Sequence, residues 1–413
     1  MNAPCRPFPT ADPTHVLDGF PFHGSRALAP PAMALWAERC RYAVAIPARN
    51  EEAAIGGCLD ALVASMRRSR RQGGVVVLVN NSSDGTYRRA CALLAESGLA
   101  HLVLDVGFPD DLANAGTARR LALDLAAALV DPRGVLMTTD ADTIVGPGWV
   151  GANLSAVARG ADVVCGAIDV DPAEAAPVLA RMGPGYLHER EYVDLTLELG
   201  ARLDPRPHDP LPPHRCAGGA SLAFRRRVYR DTGGMPAIAS GEDRAFVAAA
   251  EARDFRVTFS ADARVTTSFR LEGRAVGGMA TTLAARLGGD HAPCDEFVEP
   301  AATAALRAWA RGRLRGARGM STDISRDVLS ALGVATGNEL PGATRFFGEA
   351  WNAIEAQSPR LARRRISLDR VEGELPAMRN LVTSLRGPAE VPATAAEAAR
   401  WIAGCCGGER AHG

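Results

Sequence analysis

The sequence contains no lysine: all 47 basic residues are arginine, and they balance 47 acidic residues to a formal net charge of zero. Without an ε-amine, the chain cannot form a pyridoxal Schiff base, and it has neither a Walker-type nor a kinase-type phosphate-binding lysine. Proteins that bind nucleic acids or anionic membranes in general show a basic excess, which is missing here. We therefore expect no nucleic-acid partner.

Other missing features indicate where the protein works. No run of about 18 uninterrupted apolar residues, the length that a membrane-spanning helix needs, occurs in the sequence. The segment 1–31 is rich in proline and lacks the basic-then-apolar layout of a signal peptide. The nine cysteines show no CxxC spacing, which argues against a zinc site and against a disulfide framework. We therefore expect a reduced, soluble, cytoplasmic protein with no transmembrane segment.

Strand-like and helical stretches alternate from Tyr42 onward. The short β-rich apolar runs are 42–46, 75–79, 101–106, 135–138 and 162–166. Their alternation with longer helical stretches predicts right-handed βαβ crossovers and an α/β fold with a mainly parallel, Rossmann-like sheet and helices on both faces. Ligands of such sheets bind at the carboxyl ends of the strands. Polar clusters follow three of the predicted strands, at 47–52, 80–84 and 140–142.

Two acidic pairs are candidates for chemistry. Asp140 and Asp142 follow a predicted strand, and in a bend they can converge on a hard cation, since Mg²⁺ and Mn²⁺ bind a few carboxylates together with phosphate oxygens and waters. Glu242 and Asp243 begin a predicted helix, where a carboxylate can accept a proton from a bound hydroxyl. A polar turn in the first case and an acidic first turn that offsets the helix dipole in the second are the alternative interpretations.

Three further polar stretches lie at 47–52, 80–86 and 114–120. Taken singly, each is explained by local structure: Asn50 suits a helix N-cap, and the second stretch is ordinary turn chemistry. The third begins a predicted helix with Arg119 and Arg120, which could contact a diphosphate.

Together and in this order, these motifs resemble those of the family 2 glycosyltransferases of GT-A fold. The family pattern runs from P-x-x-N-E-E through S-x-D-G-T, N-x-G-x-A-R and DxD to a G-G-A segment followed by an arginine, and then to an E-D pair. The corresponding segments here are 47–52, 82–86, 114–119, 140–142, 218–225 and 242–243. Six motifs in register are far more specific than any one of them. The resemblance covers residues 41–270.

The resemblance implies a metal-dependent transferase that moves a sugar, hexosyltransferase-like, from a nucleoside-diphosphate sugar to an acceptor hydroxyl. Inversion is the family's usual outcome, with retention as an alternative. Asp140 and Asp142 would hold a divalent cation, Mg²⁺ or Mn²⁺, and Asp243 would be the general base, with Glu242 beside it near the acceptor. The residues implied to bind the donor are Pro47, Arg49, Glu51, Asn81, Asp84, Arg119 and Asp140.

Three departures from the family pattern matter. Asn80 and Asn81 stand where the family usually has an Asp pair; because an amide can accept or donate, the nucleobase stays open. Some relatives supply a histidine metal ligand after the last core strand, where Thr266, Thr267 and Ser268 stand here, with His291 as a distant candidate. Many relatives carry membrane helices after the catalytic domain, in place of which we expect a soluble helical extension.

The pattern and the resemblance predict three regions. Residues 1–40 are rich in Pro and Gly and are expected to form an irregular N-terminal arm. Residues 41–290 are expected to form the GT-A domain, with 41–170 as its nucleotide-binding half and 171–290 as its acceptor-binding half. Residues 291–413 show a helical pattern, which predicts an all-helical C-terminal extension.

Other functions stay open at this point. A sugar-phosphate nucleotidyltransferase has a related α/β fold, but usually relies on a Gly-rich loop with Arg and Lys where this chain has P-A-R-N-E-E. A catalytically inactive nucleotide-sugar-binding or scaffold protein is the second alternative, against which the two intact acidic pairs argue. Arginine-rich stretches such as 363–365 leave peripheral contact with acidic lipids as a minority interpretation. The acceptor and the oligomeric state are not indicated.

Overall fold

The computed structural model describes two compact units of the chain. Unit 1 draws on residues 1–176, 215–251 and 255–282, and unit 2 on residues 177–214, 252–254 and 283–413. Within these, the described residues are 14–17, 20–21, 25–28, 40–270, 279–287, 289, 291–318, 322–335, 344–387 and 390–407.

Unit 1 is built on one sheet, to which the described residues contribute nine strands in the order β1-β4-β3-β2-β5-β8-β7-β9-β6. The strands are β1 Ser25–Leu28, β2 Tyr42–Ala48, β3 Gly73–Asn80, β4 Ala100–Val106, β5 Val135–Thr138, β6 Thr143–Val145, β7 Val163–Val170, β8 Leu222–Arg225 and β9 Val257–Thr267. The four central strands β4-β3-β2-β5 are parallel, whereas β1, β8 and β6 pair antiparallel with their neighbours. The predicted α/β class is confirmed, with a parallel centre and mixed flanks.

The parallel centre positions the polar segments that follow its strands. Tyr42 of β2 lies opposite Gly73 of β3, and Ala45 of β2 lies opposite Thr138 of β5. Because these strands run in the same direction, their carboxyl ends meet at one edge of the sheet. The segments after β2, β3 and β5 are therefore neighbours in space, although they are far apart in sequence.

Helices cover both faces of this sheet. The helices that lie wholly in unit 1 are Thr14–Leu17, Ile55–Ser69, Thr86–Ser97, Ala115–Leu129, Trp149–Ala158 and Arg226–Asp231. Alternate residues of β2 point to opposite faces, so that Ala43 and Ala45 pack with the helix Ala115–Leu129 while Val44 and Ile46 pack with the helix Ile55–Ser69. Burial on both faces explains the continuous apolar runs of the central strands.

Some predicted boundaries are wrong. The helix that was expected from Asn50 begins at Ile55, because Asn50 adopts a left-handed conformation with φ of 53° and is not the N-cap. The strand-like runs at 255–259 and 264–267 form the single strand β9. The arm 1–40 is not irregular throughout, since β1 pairs with β4; the masked remainder of the arm lies outside the described residues.

Unit 2 is helical in its described part. Its helices are Pro184–Leu203, Ala301–Ala317, Thr322–Ala331, Phe347–Gln357, Leu368–Arg386 and Ala395–Cys406, and the helices Pro172–Leu179, Glu242–Ala252 and Met279–Leu287 extend across the division between the units. Tyr192, Trp309 and Val371 are buried in its core. The capping box predicted at Thr394 and Glu397 is confirmed. None of the helices in the described ranges is both long and apolar enough to cross a membrane.

The division into units differs from the expected boundary at 290. The helix Pro184–Leu203, which was expected in the acceptor-binding half, belongs to unit 2. The reason is its apolar face: Tyr192, Leu199 and Leu203 are buried in the same hydrophobic cluster as the helix Leu368–Arg386. A functional division into 41–290 and 291–413 stays a prediction.

Candidate active site

The segments after β2 and β3 are bound to each other by reciprocal hydrogen bonds. The backbone N–H of Glu52 donates to Asp84 Oδ2 (3.0 Å), and the backbone N–H of Gly85 donates back to Glu52 Oε2 (3.0 Å). Beside them, the N–H of Ser83 donates to Asn50 Oδ1 (2.9 Å). The left-handed conformation of Asn50 is tolerated by asparagine and turns its side chain toward this partner loop. The two motifs thus fix the shape of the edge at which the sheet's ligands are expected.

Asp84 is used within this loop. Its Oδ1 accepts hydrogen bonds from the backbone N–H of Thr86 (3.0 Å) and from the Thr86 hydroxyl (2.5 Å), while Oδ2 accepts from Glu52. These contacts position the start of the helix Thr86–Ser97. The structure therefore gives Asp84 a positioning role, and its expected place beside a nucleobase stays a prediction.

Asn81 and Arg49 hold the next loop, which follows β4. The Asn81 side-chain amide pairs with the backbone of Phe108 at both ends, donating from Nδ2 (2.9 Å) and accepting at Oδ1 (3.1 Å). Arg49 Nη1 donates to the carbonyl of Ala113 (2.9 Å). Pro47 is half-buried in β2. Of the three residues that were expected to bind the donor here, two have side chains that are engaged with backbone of the protein itself.

Arg119 joins the two acidic pairs. Its Nη2 donates to Asp140 Oδ1 (2.7 Å), its Nε donates to Glu242 Oε1 (3.0 Å), and its Nη1 donates to Thr138 Oγ1 (2.9 Å). The side chain is only 6% exposed. Burial alone would lower the pKa of Arg119, but the charges of Asp140 and Glu242 outweigh it and hold the pKa above its ordinary value. Arg119 is thus an internal bridge, rather than the donor-facing arginine that was expected.

Asp243 is held by backbone groups. Its Oδ2 accepts from the N–H of Gly219 (2.7 Å), and its Oδ1 accepts from the N–H of Arg244 (2.7 Å). A Cβ at Gly219 would lie 2.5 Å from Arg119 Cζ, so this position requires glycine. The G-G-A segment therefore supports the carboxylate of Asp243 and lets Arg119 pass beneath it. Asp243 is half-buried, whereas Glu242 is buried against Arg119.

A second arginine bridges carboxylates at the same edge. Arg270 follows β9, and its Nη2 lies 2.7 Å from both Glu51 Oε1 and Asp142 Oδ2. Burial and the negative charge of Asp140 raise the pKa of Asp142 to about 6, an effect that Arg270 partly offsets. Sequence reasoning missed Arg270. The signal for it is a basic residue just beyond the last strand of an acidic pocket.

The acidic residues at this edge fit a divalent cation in part. In the part of the chain that the structure describes, no group of three or more His, Cys, Asp or Glu is arranged to hold a metal ion. Mg²⁺ commonly uses one or two protein carboxylates and completes its shell with phosphate oxygens and waters, and Asp140 with Asp142 can supply such a pair. The hydroxyl of Thr139 between the strand and this pair is buried and makes no hydrogen bond.

The residues considered for a third protein ligand have other partners. The Thr267 hydroxyl lies 3.0 Å from that of Thr143 and is buried. His291 belongs to unit 2, where its Nδ1 lies 3.1 Å from Asp369 Oδ2 and the ring is exposed. Neither observation assigns a histidine to the site.

Residues 43–183 match the family model of Glycosyl transferase family 2. A search of curated proteins found no match. Three solved structures illustrate the similarity at the level of coordinates. The mannosyltransferase PcManGT from Pyrobaculum calidifontis, in complex with GDP-Man and Mn²⁺, gives a TM-score of 0.40 at 17% identity, over 94% of this chain and 91% of that chain.

The other two structures are bacterial. TarS 1–349 from S. aureus, in complex with UDP, gives a TM-score of 0.39 at 13% identity, over 89% of this chain and 90% of that chain. Glucosyl-3-phosphoglycerate synthase from Mycobacterium tuberculosis, in complex with Mn²⁺, UDP-Glc and phosphoglyceric acid, gives 0.37 at 20% identity, over 62% of this chain and 82% of that chain.

The matched segment contains four of the six motifs, including the interlocked loops, Arg119 and the Asp140–Asp142 pair. The remaining two motifs, at 218–225 and 242–243, lie beyond it in sequence. They reach the same edge of the sheet because β8 pairs with β5 and because Glu242 binds Arg119. Through residues 43–183 this chain belongs to glycosyl transferase family 2, and it is a glycosyltransferase.

Proposed function

We propose that unit 1 transfers a sugar from a nucleoside-diphosphate sugar to an acceptor hydroxyl, with inversion and with a divalent cation. The observation that carries this proposal is the Arg119 bridge, which ties Asp140 to Glu242 and so brings the expected cation-binding and proton-accepting residues to one edge of the sheet. That edge is where parallel sheets bind ligands.

On the donor side, Asp140 and Asp142 would hold the cation. Bound there, it would act as a Lewis acid that offsets the negative charge developing on the departing nucleoside diphosphate. The interlocked loops after β2 and β3 would shape the pocket for the nucleoside. The nucleobase stays open, because the amide of Asn81 is paired with the backbone of Phe108.

On the acceptor side, Asp243 would take the proton. The acceptor oxygen forms a bond to the anomeric carbon as the bond from that carbon to the diphosphate oxygen breaks, and the hydroxyl proton passes to the Asp243 carboxylate. The backbone donors Gly219 and Arg244 fix one lone pair on each oxygen and leave others to accept from a hydroxyl. Glu242 is buried against Arg119, so we assign it a positioning role instead of contact with the acceptor.

The regional roles follow from this assignment. We propose that residues 41–170 bind the donor and that the acceptor is bound beside Asp243, within the 171–290 region. The helical unit 2 receives no catalytic role in this proposal.

The test is a donor screen with purified protein and Mn²⁺. UDP-sugars and GDP-sugars are supplied with and without candidate acceptor alcohols, release of UDP or GDP is measured, and the anomeric configuration of any product is read by proton NMR. Release that requires Mn²⁺ and an inverted product support the proposal. Pyrophosphate release from a nucleoside triphosphate and a sugar 1-phosphate would instead indicate a nucleotidyltransferase. Donor binding without any turnover would indicate an inactive binding protein.

A further inference from the structure

The contact between Arg270 and the acidic edge is unlike the contact made by Arg119. Arg119 is fixed by hydrogen bonds from three of its nitrogens and is 6% exposed. Arg270 reaches Glu51 and Asp142 with the same nitrogen, Nη2, and its side chain is 33% exposed. One arginine is therefore built into the protein, while the other lies on the solvent side of the same carboxylates.

Arg270 occupies a carboxylate that the proposed function needs for another cation. Its Nη2 lies 2.7 Å from Asp142 Oδ2. A divalent ion bound to that carboxylate and a guanidinium at hydrogen-bond distance from it would repel each other strongly in a partly desolvated site. The two cations therefore compete for Asp142.

Resting on the proposed function, we propose that Arg270 is an internal counter-cation that keeps the affinity of the site for the free metal ion low and moves to the donor diphosphate when donor and metal bind together. A guanidinium fork binds phosphate oxygens as readily as carboxylates. The diphosphate thus gives Arg270 a new anionic partner at the moment when the metal takes Asp142. By linkage, Arg270 makes metal binding and diphosphate binding mutually favourable.

The test measures binding directly. Mn²⁺ alone is titrated into the full-length protein by isothermal calorimetry, and UDP and GDP are then titrated at saturating Mn²⁺. Arg270→Gln is compared with the wild type, and Arg270→Met serves as a second uncharged variant in case one of them folds poorly. Arg270→Lys keeps the charge. Arg264→Gln is the matched control, because Arg264 lies on β9 and pairs with the exposed Asp169, away from Asp142.

The expected pattern has opposite signs. Loss of the charge tightens binding of Mn²⁺ alone on the order of tenfold and weakens nucleoside diphosphate binding at saturating Mn²⁺. Arg270→Lys and Arg264→Gln bind Mn²⁺ like the wild type. A residue that merely braces the fold would lower both affinities together, and unchanged or weaker Mn²⁺ binding in the uncharged variants overturns the proposal. If the wild type binds neither Mn²⁺ nor its nucleotide complexes, the proposed function itself fails, and this inference with it.

Discussion

Asp140 and Glu242 accept hydrogen bonds from one guanidinium, that of Arg119, at 2.7 and 3.0 Å. The two carboxylates come from motifs that are far apart in sequence, one after β5 and the other at the start of the helix Glu242–Ala252. Their shared partner makes the relative position of the two acidic pairs a property of the folded core, independent of any ligand.

This relationship predicts that Arg119 contributes to stability before it contributes to activity. Arg119→Met leaves Glu242 buried without its charged partner, and breaking such a pair from one side costs about 3–5 kcal/mol in the free energy of unfolding. Urea denaturation followed by circular dichroism measures the loss. The double variant Arg119→Met/Glu242→Gln should recover part of it, because the uncompensated charge is removed.

Arg41→Met is the control for Arg119, since Arg41 forms an exposed ion pair with Asp131. Its effect should stay within about 1 kcal/mol, as for other surface pairs. Equal losses in the Arg41 and Arg119 variants would contradict the bridging role.

The interlocked loops give a second prediction, which separates positioning from nucleobase recognition at Asp84. Asp84→Ala removes acceptors for two backbone donors and should cost about 1–2 kcal/mol, comparable to the loss of a helix cap. Glu52→Ala, which breaks the reciprocal contact to Gly85, should behave similarly. Both variants should weaken UDP and GDP binding by the same factor. A change in the UDP-to-GDP preference confined to Asp84→Ala would show instead that Asp84 recognises the base.

A third prediction concerns the proton acceptor. Asp243→Asn should leave nucleotide binding near the wild-type value and reduce sugar transfer by roughly 10²-fold or more, because a positioned general base contributes about that much. Asp262→Asn, an exposed carboxylate on β9, is the matched control and should transfer at the normal rate. Near-normal transfer by Asp243→Asn would remove Asp243 from the proposed role.

Much of the fold could be predicted from the sequence because the central strands are buried on both faces. Val75–Val79 reads as a continuous apolar run for that reason, and β3 was found within two residues at each end. Asn50 was misread because asparagine suits both a helix N-cap and a left-handed turn, and only the partner loop at Ser83 decides between them.

The contacts of the site could be predicted only in part. The motifs indicate which residues lie at the sheet edge, but they do not indicate which of these residues bind each other. Arg119 was expected to face a ligand, because nothing local signals its pairing with Glu242. Arg270 was missed for the same reason, since its partners Glu51 and Asp142 lie far away in sequence. In unit 2, the amphipathic pattern of Pro184–Leu203 predicts a buried face without naming the helix Leu368–Arg386 that covers it.

The central claim is that Asp140 and Asp142 form the cation site of a nucleotide-sugar pocket. The most direct measurement is calorimetric titration of UDP and GDP into the wild type and Asp142→Asn, each with and without Mn²⁺, with the exposed Asp169→Asn as control. We predict that Mn²⁺ strengthens binding of at least one nucleotide to the wild type and to the control, and that Asp142→Asn stays folded but loses this enhancement. An Asp142→Asn protein whose nucleotide affinity still rises with Mn²⁺ as in the wild type would contradict the account.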